Sequence, residues 1–160
     1  MRRADLDQVV AALRQPIETF VGETRVRIAL LINRSGQVLG QYGFTRKYEV
    51  VNVASLAASA SAAATALAEL TGSQRWTHLH HGGATRQLFI APIQTPSEEI
   101  ILVAIFDDDS SVGLVQLFFD RFGEKLASLE AFRDAAPTSD QSNFEQDLEA
   151  GLEHVFLPDQ

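Results

Sequence analysis

The sequence contains no cysteine, which removes disulfides, thiolate nucleophiles and cysteine-based zinc sites from consideration. It has no run of eighteen consecutive apolar residues, and its start, MRRADLDQ, lacks the apolar stretch of a signal peptide. Neither a membrane span nor an export signal is therefore expected, and a cytoplasmic location follows. Basic charge is scarce as well: 13 Lys and Arg against 21 Asp and Glu leave a net charge of −8. Neutralising phosphates takes a concentrated basic face, so nucleic acid is not an expected partner. The signatures G-x-x-x-x-G-K-[ST], G-x-G-x-x-G after a strand, G-x-S-x-G and H-E-x-x-H are all missing, which leaves the chain without an evident nucleotide pocket, catalytic apparatus or cofactor site.

What is present suffices for one folded domain. At 160 residues, with 46% hydrophobic and 21% charged residues, roughly 68 to 70% of the unfolded surface can be buried. Leu6, Val9, Val10, Leu13, Ile17 and Phe20 recur at helical spacing and predict an amphipathic helix from about Asp5 to Val21, with a kink or break near Gln15 because Pro16 removes an amide. Val26 to Ile32 reads as a strand, Asn33-Arg34-Ser35-Gly36 as a tight turn and Gln37 to Tyr42 as the return strand. After a loop from Gly43 to Val51 comes a helix from Asn52 to Gly72, with Asn52 as N-cap, Val51 and Leu56 as hydrophobic staple and Gly72 closing it. Three strands follow as an antiparallel meander, Gln74 to His81, Arg86 to Gln94 and Glu99 to Phe106. The last is apolar at consecutive positions, so helices must cover both its faces. A helix capped near Ser110 or Ser111 supplies part of that cover through Val115, Phe118, Phe119, Phe122, Leu126 and Leu129.

The organisation is thus a domain over residues 1–132, a polar linker over 133–142, an amphipathic helix over 143–157 and a short tail over 158–160. In the last helix Phe144, Leu148, Leu152 and Val155 share one face, which must dock on its own domain or on a partner because so short a helix is marginal alone.

Possible chemistry is thin. His78 and His80 would share a strand face, with His81 beside them, but no third ligand stands at a convincing spacing, so no metal site is assigned. Asp107-Asp108-Asp109 reads as a solvated turn before a helix start, and Arg46-Lys47 as a solvated loop.

The segment from Val53 to Leu70 is unusual, with nine alanines. Val53, Leu56, Ala60, Ala63, Leu67 and Leu70 are expected to face the sheet. Ser55, Ala58, Ser59, Ala62, Thr65, Ala66 and Glu69 then form a second stripe with one charge, where water would have tolerated many, and this stripe reads as an interface. The mixed polarity of Trp76 to His81 suits an edge strand, which invites pairing with a second copy about a two-fold axis.

The order of elements, the segment ALLINRSGQVLGQYG, the small-residue helix Leu56 to Gly72, the stretch from Phe106-Asp107-Asp108 through Val112-Gly113 and the tail helix Phe144 to Phe156 together resemble the roadblock/dynein light chain family over about Asp5 to Phe132. The resemblance implies an α+β fold of order α-β-β-α-β-β-β-α plus the C-terminal helix, with a five-stranded antiparallel sheet, one helix on one face and two on the other. It also implies a homodimer joined through Trp76, Thr77, His78, Leu79 and His80, with the small-residue helices side by side. In the branch that serves bacterial cell polarity and motility, the implied role is to bind a small Ras-like GTPase and stimulate its hydrolysis by ordering the switch regions. Such a protein is not an enzyme and needs no cofactor; recruitment to a cell pole goes with the role. The GTPase-facing residues fall on Ala58, Ser59, Ala62, Thr65, Ala66 and Glu69, and tail docking on Phe144, Leu148 and Leu152. The alternative is a scaffold that binds a GTPase or filament protein without changing any rate.

Overall fold

Five antiparallel strands lie in the order β2-β1-β5-β4-β3, with helices on both faces of the sheet. The computed structural model describes residues 3–133. Along the chain these are α1 (Arg3–Thr24), β1 (Ile28–Asn33), β2 (Val38–Tyr42), α2 (Lys47–Leu70), β3 (Leu79–Gly82), β4 (Gln87–Gln94), β5 (Glu99–Phe106), α3 (Val112–Ala127) and a final 3-10 turn, Glu130–Phe132. This is the expected α+β architecture; the C-terminal helix and its residues Phe144, Leu148 and Leu152 lie outside the described residues.

Strand β5 is central, pairing with β1 from Ile105 to Ile100 and with β4 along its whole length. Successive side chains of a strand point to opposite faces, so its apolar run feeds two cores. On one face Ile100, Leu102, Ala104 and Phe106 pack with Leu13, Ile17 and Phe20 of α1 and Val115, Phe122 and Leu126 of α3. On the other, Ile101 and Val103 join Leu30, Ile32 and Ile90 beneath Ala54 and Ala57 of α2. The first core is aromatic: Phe20 stacks on Phe122 at 4.6 Å between ring centroids, and Phe89 meets Phe119 edge-on at 5.6 Å.

Helix α1 continues unbroken through Pro16, against the expected break near Gln15. A proline inside a helix costs about 3 kcal/mol. Here the burial of Leu13, Pro16, Ile17 and Phe20 holds both halves to the same sheet face, and burying each large apolar side chain is worth about 1.5 to 3 kcal/mol.

The β1–β2 turn is built as read. Asn33 Oδ1 accepts from the Ser35 amide at 3.1 Å and the Gln37 amide at 2.9 Å, while Gly36 takes φ of 84°. A bulge between Leu31 and Ile32 then offsets the β2 register. Two glycines set distances after it. A Cβ on Gly40 would come within 2.6 Å of Ile17 Cδ1, so this glycine lets α1 sit close on β2. Gly43 has φ of 88°, and a Cβ there would fall 2.1 Å from the Arg27 carbonyl oxygen.

Two helix ends match their predicted chemistry. Ser111 Oγ accepts from the Leu114 amide at 3.1 Å, capping α3. Gly72, with φ of 74°, closes α2 with a Schellman pair, Gly72 N–H to Glu69 O at 3.2 Å and Ser73 N–H to Ala68 O at 2.8 Å.

The two glycines make separable predictions. Gly43→Ala meets backbone in a left-handed conformation and is expected to cost about 2 to 4 kcal/mol. Gly40→Ala meets only the end of an isoleucine side chain and should cost about 1 kcal/mol. Urea unfolding of the two variants measures both, and a larger loss at Gly40 would contradict the geometry.

Candidate partner interface

Helix α2 turns its smallest residues to the sheet. Ala54, Ala57, Ser61, Ala64 and Ala68 are all buried, spaced three and four residues apart in alternation, which places them on one stripe. Residues this small let the helix backbone lie low on the sheet, and the β1–β2 turn reaches it too: a Cβ on Gly36 would sit 3.5 Å from Ala58 Cβ. Leucines do not fit into that gap.

The expected sheet-facing set is therefore corrected. Val53 and Ala60 are half-buried on one flank, while Leu56, Ala63, Leu67 and Leu70 are exposed. The helix is rotated by roughly a third of a turn from the orientation that hydrophobicity suggested. Leu56, Leu67 and Leu70 stand 72%, 60% and 84% exposed, and Val51 is 59% exposed. With Ser59, Ala62, Ala63 and Ala66 they form an apolar ridge in which Glu69 is the one charge after Glu49. From Glu49 to Leu70 the helix is long and apolar enough to cross a membrane, with a mean hydropathy of 1.6. Only 22% of that span is buried, so most of the apolar run lies outside the stripe.

Four of the six predicted contact residues, Ser59, Ala62, Ala66 and Glu69, are exposed on this ridge. Ala58 and Thr65 are half-buried at its edge. Thr65 is committed internally: its hydroxyl donates to the Ser61 carbonyl at 3.0 Å and accepts from Trp76 Nε1 at 3.1 Å. The leucines are the residues that the sequence reading missed. Their signal was the unbroken three-four spacing of small residues, which marks the stripe that must be inside.

The start of α2 also differs from expectation. Asn52 is inside the helix, which begins at Lys47 with Arg46 as an extended N-cap residue. Glu49 in the first turn suits the positive end of the helix dipole. Val51 and Leu56 form no staple, since both are exposed.

Beside α2 runs the sheet edge. β3 pairs with β4 through Leu79 with Ile90 to Gly82 with Gln87, and its outer side meets no other strand among the described residues. All four β3 residues are exposed. The strand is shorter than expected, so Leu79 and His80 lie on it while Trp76, Thr77 and His78 precede it. In a strand, residues two apart share a face. Here Trp76 packs on the α2 side, whereas His78 stacks on Phe89 of the other core at 5.4 Å between centroids and its Nε2 lies 3.1 Å from Gln116 Nε2. The segment cannot serve both and remain extended.

The polar clusters have local partners. His80 Nε2 lies 2.8 Å from Gln87 Oε1. Arg27 donates through Nε to Asp107 at 2.8 Å and through a terminal nitrogen to Asp109. The Asp109 amide first, and Arg27 second, hold the Asp107 carboxyl below its ordinary range. No group of three metal-ligating side chains occurs among the described residues.

The orientation of α2 yields a direct test. Leu67→Ser, on the ridge, should change the stability of the isolated subunit by less than about 0.5 kcal/mol, whereas Ala64→Leu, on the stripe, should cost about 1 to 3 kcal/mol through overpacking. Thermal unfolding under dilute conditions compares them, and the reverse ranking would mean that the ridge faces inward.

Comparison with known proteins places the geometry among relatives. The model of the Roadblock/LC7 domain matches residues 17–106. The structure is similar to Myxococcus xanthus MglB, with 26% identity over 75% of this chain and 92% of that one and a TM-score of 0.63. It is similar to the gliding protein MglB of Thermus thermophilus, with 32% identity over 79% and 91% and a TM-score of 0.62. An MglB with a tetrameric arrangement gives 32% identity over 79% and 90%, also at 0.62. Among curated proteins the sequence finds no match.

Proposed function

This chain belongs to the Roadblock/LC7 domain family, and we propose that two copies pair and bind one small Ras-like GTPase of the MglA type, stimulating its GTP hydrolysis. The observation that carries this reading is the apolar α2 ridge. It is too large and too free of charge for an idle helix face, and soluble chains that expose such a patch use it for contact. The likeness to MglB supports a partner of this kind.

The mechanism follows from what the ridge can do. It offers a low surface of alanine and serine side chains, flanked by leucines, on which a mobile loop can lie flush. Phosphoryl transfer in such GTPases depends on positioning and electrostatics, and a switch loop held in the hydrolysis-competent arrangement loses entropy before the reaction starts. The ridge brings no Lys, Arg or His, so the cationic groups of the reaction stay with the GTPase. Pairing through the β3 edge, by Leu79 and His80, would set two ridges side by side. Action at a cell pole is the corresponding cellular role.

Ala62→Arg tests the assignment, because Ala62 is exposed and the change leaves the buried stripe alone. Single-turnover hydrolysis by the cognate GTPase is expected to rise on adding the unmodified protein and to lose at least about tenfold of that stimulation with the variant, a change of about 1.4 kcal/mol in barrier. Stimulation that survives Ala62→Arg would remove the ridge from the site. Binding without any stimulation by the unmodified protein would instead establish a scaffold.

A further inference from the structure

We propose that the acidic C-terminal segment of this chain, centred on Phe144 to Val155, docks in the groove between α1 and α3 of its own subunit. This groove, of about 340 Å³, lies across the sheet from the α2 ridge. Its floor is apolar, made by Pro16, Phe20, Phe122 and Leu129, and the small residues Ala12 and Thr19 keep the α1 wall low. Arg121 and Lys125 of α3 stand on the rim, with Glu23 of α1 opposite.

Charge selects the occupant. Residues 134–160 carry seven Asp and Glu and no Lys or Arg, so they hold nearly all of the chain's net charge of −8. Phe144, Leu148, Leu152 and Val155 give the same segment an apolar face. A segment of that kind needs an apolar trough with cations at the edge. The α2 ridge has the apolar surface but Glu69 as its charge, which repels. The cleft beside Trp76 contains Arg34 and Arg75 but also Glu69, Glu99 and Asp120. Near β2 a third hollow has Arg25 and Arg27, whose two charges are offset by Asp107 and Asp109, both paired with Arg27. The α1–α3 groove alone among these combines an apolar floor with an excess of positive charge.

Length and exit point agree. Phe132 is fully buried and the 3-10 turn packs against α1, which fixes Arg133, the last described residue, four residues after the groove-lining Leu129. A ten-residue linker spans up to about 35 Å, more than enough to turn back. As a helix, Phe144 to Val155 would be about 17 Å long, the same as the Ala12 to Glu23 wall of the groove.

The lack of native cysteine makes the test clean. Thr19→Cys combined with Leu148→Cys, and separately with Leu152→Cys, should form an intrachain disulfide in the full chain at least about tenfold faster than Ser59→Cys combined with Leu148→Cys, which samples the ridge through the same linker. Reversing Arg121→Glu and Lys125→Glu, or adding salt, should slow the Thr19 linkage about fivefold or more. Hydrogen exchange on the unmodified chain gives an independent reading: amides of residues 144–155 are expected to be protected, and the same charge reversals should remove the protection. Equal linkage at Thr19 and Ser59, linkage only between two copies, indifference to charge reversal, or protection that arises only on adding a GTPase would each overturn the proposal. No GTPase is present in the linkage experiment, so its outcome is independent of the function proposed above.

Discussion

The close approach of α2 to the sheet is the constraint from which the rest follows. A stripe of Ala54, Ala57, Ser61, Ala64 and Ala68 leaves no room between helix and strands for a branched side chain. The larger apolar residues of the same helix must then point outward, which is an unusual outcome for leucine. Each exposed leucine gives up about 1.5 to 3 kcal/mol that burial would supply. Tolerating several of them on one surface makes sense where another molecule covers them. Packing on the inside of the helix thereby leaves an apolar surface on its outside.

Stability is meanwhile concentrated on the opposite side of the sheet. Phe20, Phe89, Phe106 and Phe132 are fully buried there, against α1 and α3, and Phe122 stacks on Phe20. The α2-side core is smaller and built from aliphatic and alanine side chains. The division separates two requirements. Large aromatic contacts hold the sheet in place, and α2 carries less of that anchorage. The same division places the α1–α3 groove and the α2 ridge on opposite faces, where each can be occupied without the other.

Much of this was legible in the residues. The consecutive apolar run of β5 required two covering layers, and both exist. Asn33, Gly36, Gly72 and Ser111 marked turns and caps by their own side-chain or backbone chemistry, and the structure places each of them in that role. What misled was any inference that ranked residues by hydrophobicity alone. It put Leu56 and Leu67 inside, although the three-four spacing of Ala54, Ala57, Ser61, Ala64 and Ala68 marked a stripe small enough for a close approach to the strands. Pro16 misled for a related reason: local propensity predicts a break, and the price of keeping the helix is met by distant contacts. Trp76 and His78 read as strand because alternation cannot reveal that two residues of like position are drawn to opposite cores. Of the six ridge positions read from the sequence, Ser59, Ala62, Ala66 and Glu69 are exposed, whereas Thr65 is turned to a hydrogen bond that only the fold creates.

The shortness of β3 constrains any association of two copies. Four residues paired across a two-fold axis give about four hydrogen bonds, and at about 0.5 to 1.5 kcal/mol each they contribute about 2 to 6 kcal/mol. Micromolar affinity requires about 8 kcal/mol net, after a further cost of at least about 4 kcal/mol for lost translation and rotation. Edge pairing by itself therefore falls short. The missing part has to come from apolar area beside the edge. The indole of Trp76, held by Thr65 of α2 at 3.1 Å, fixes the segment entering β3 against that same helix. Edge and ridge are thereby linked, and a second copy that engages the strand would find apolar area on α2 beside it. In a dimer of this kind the ridge would be shared between stabilising the pair and receiving the partner, so substitutions at its leucine flank and at its alanine centre would act on different steps.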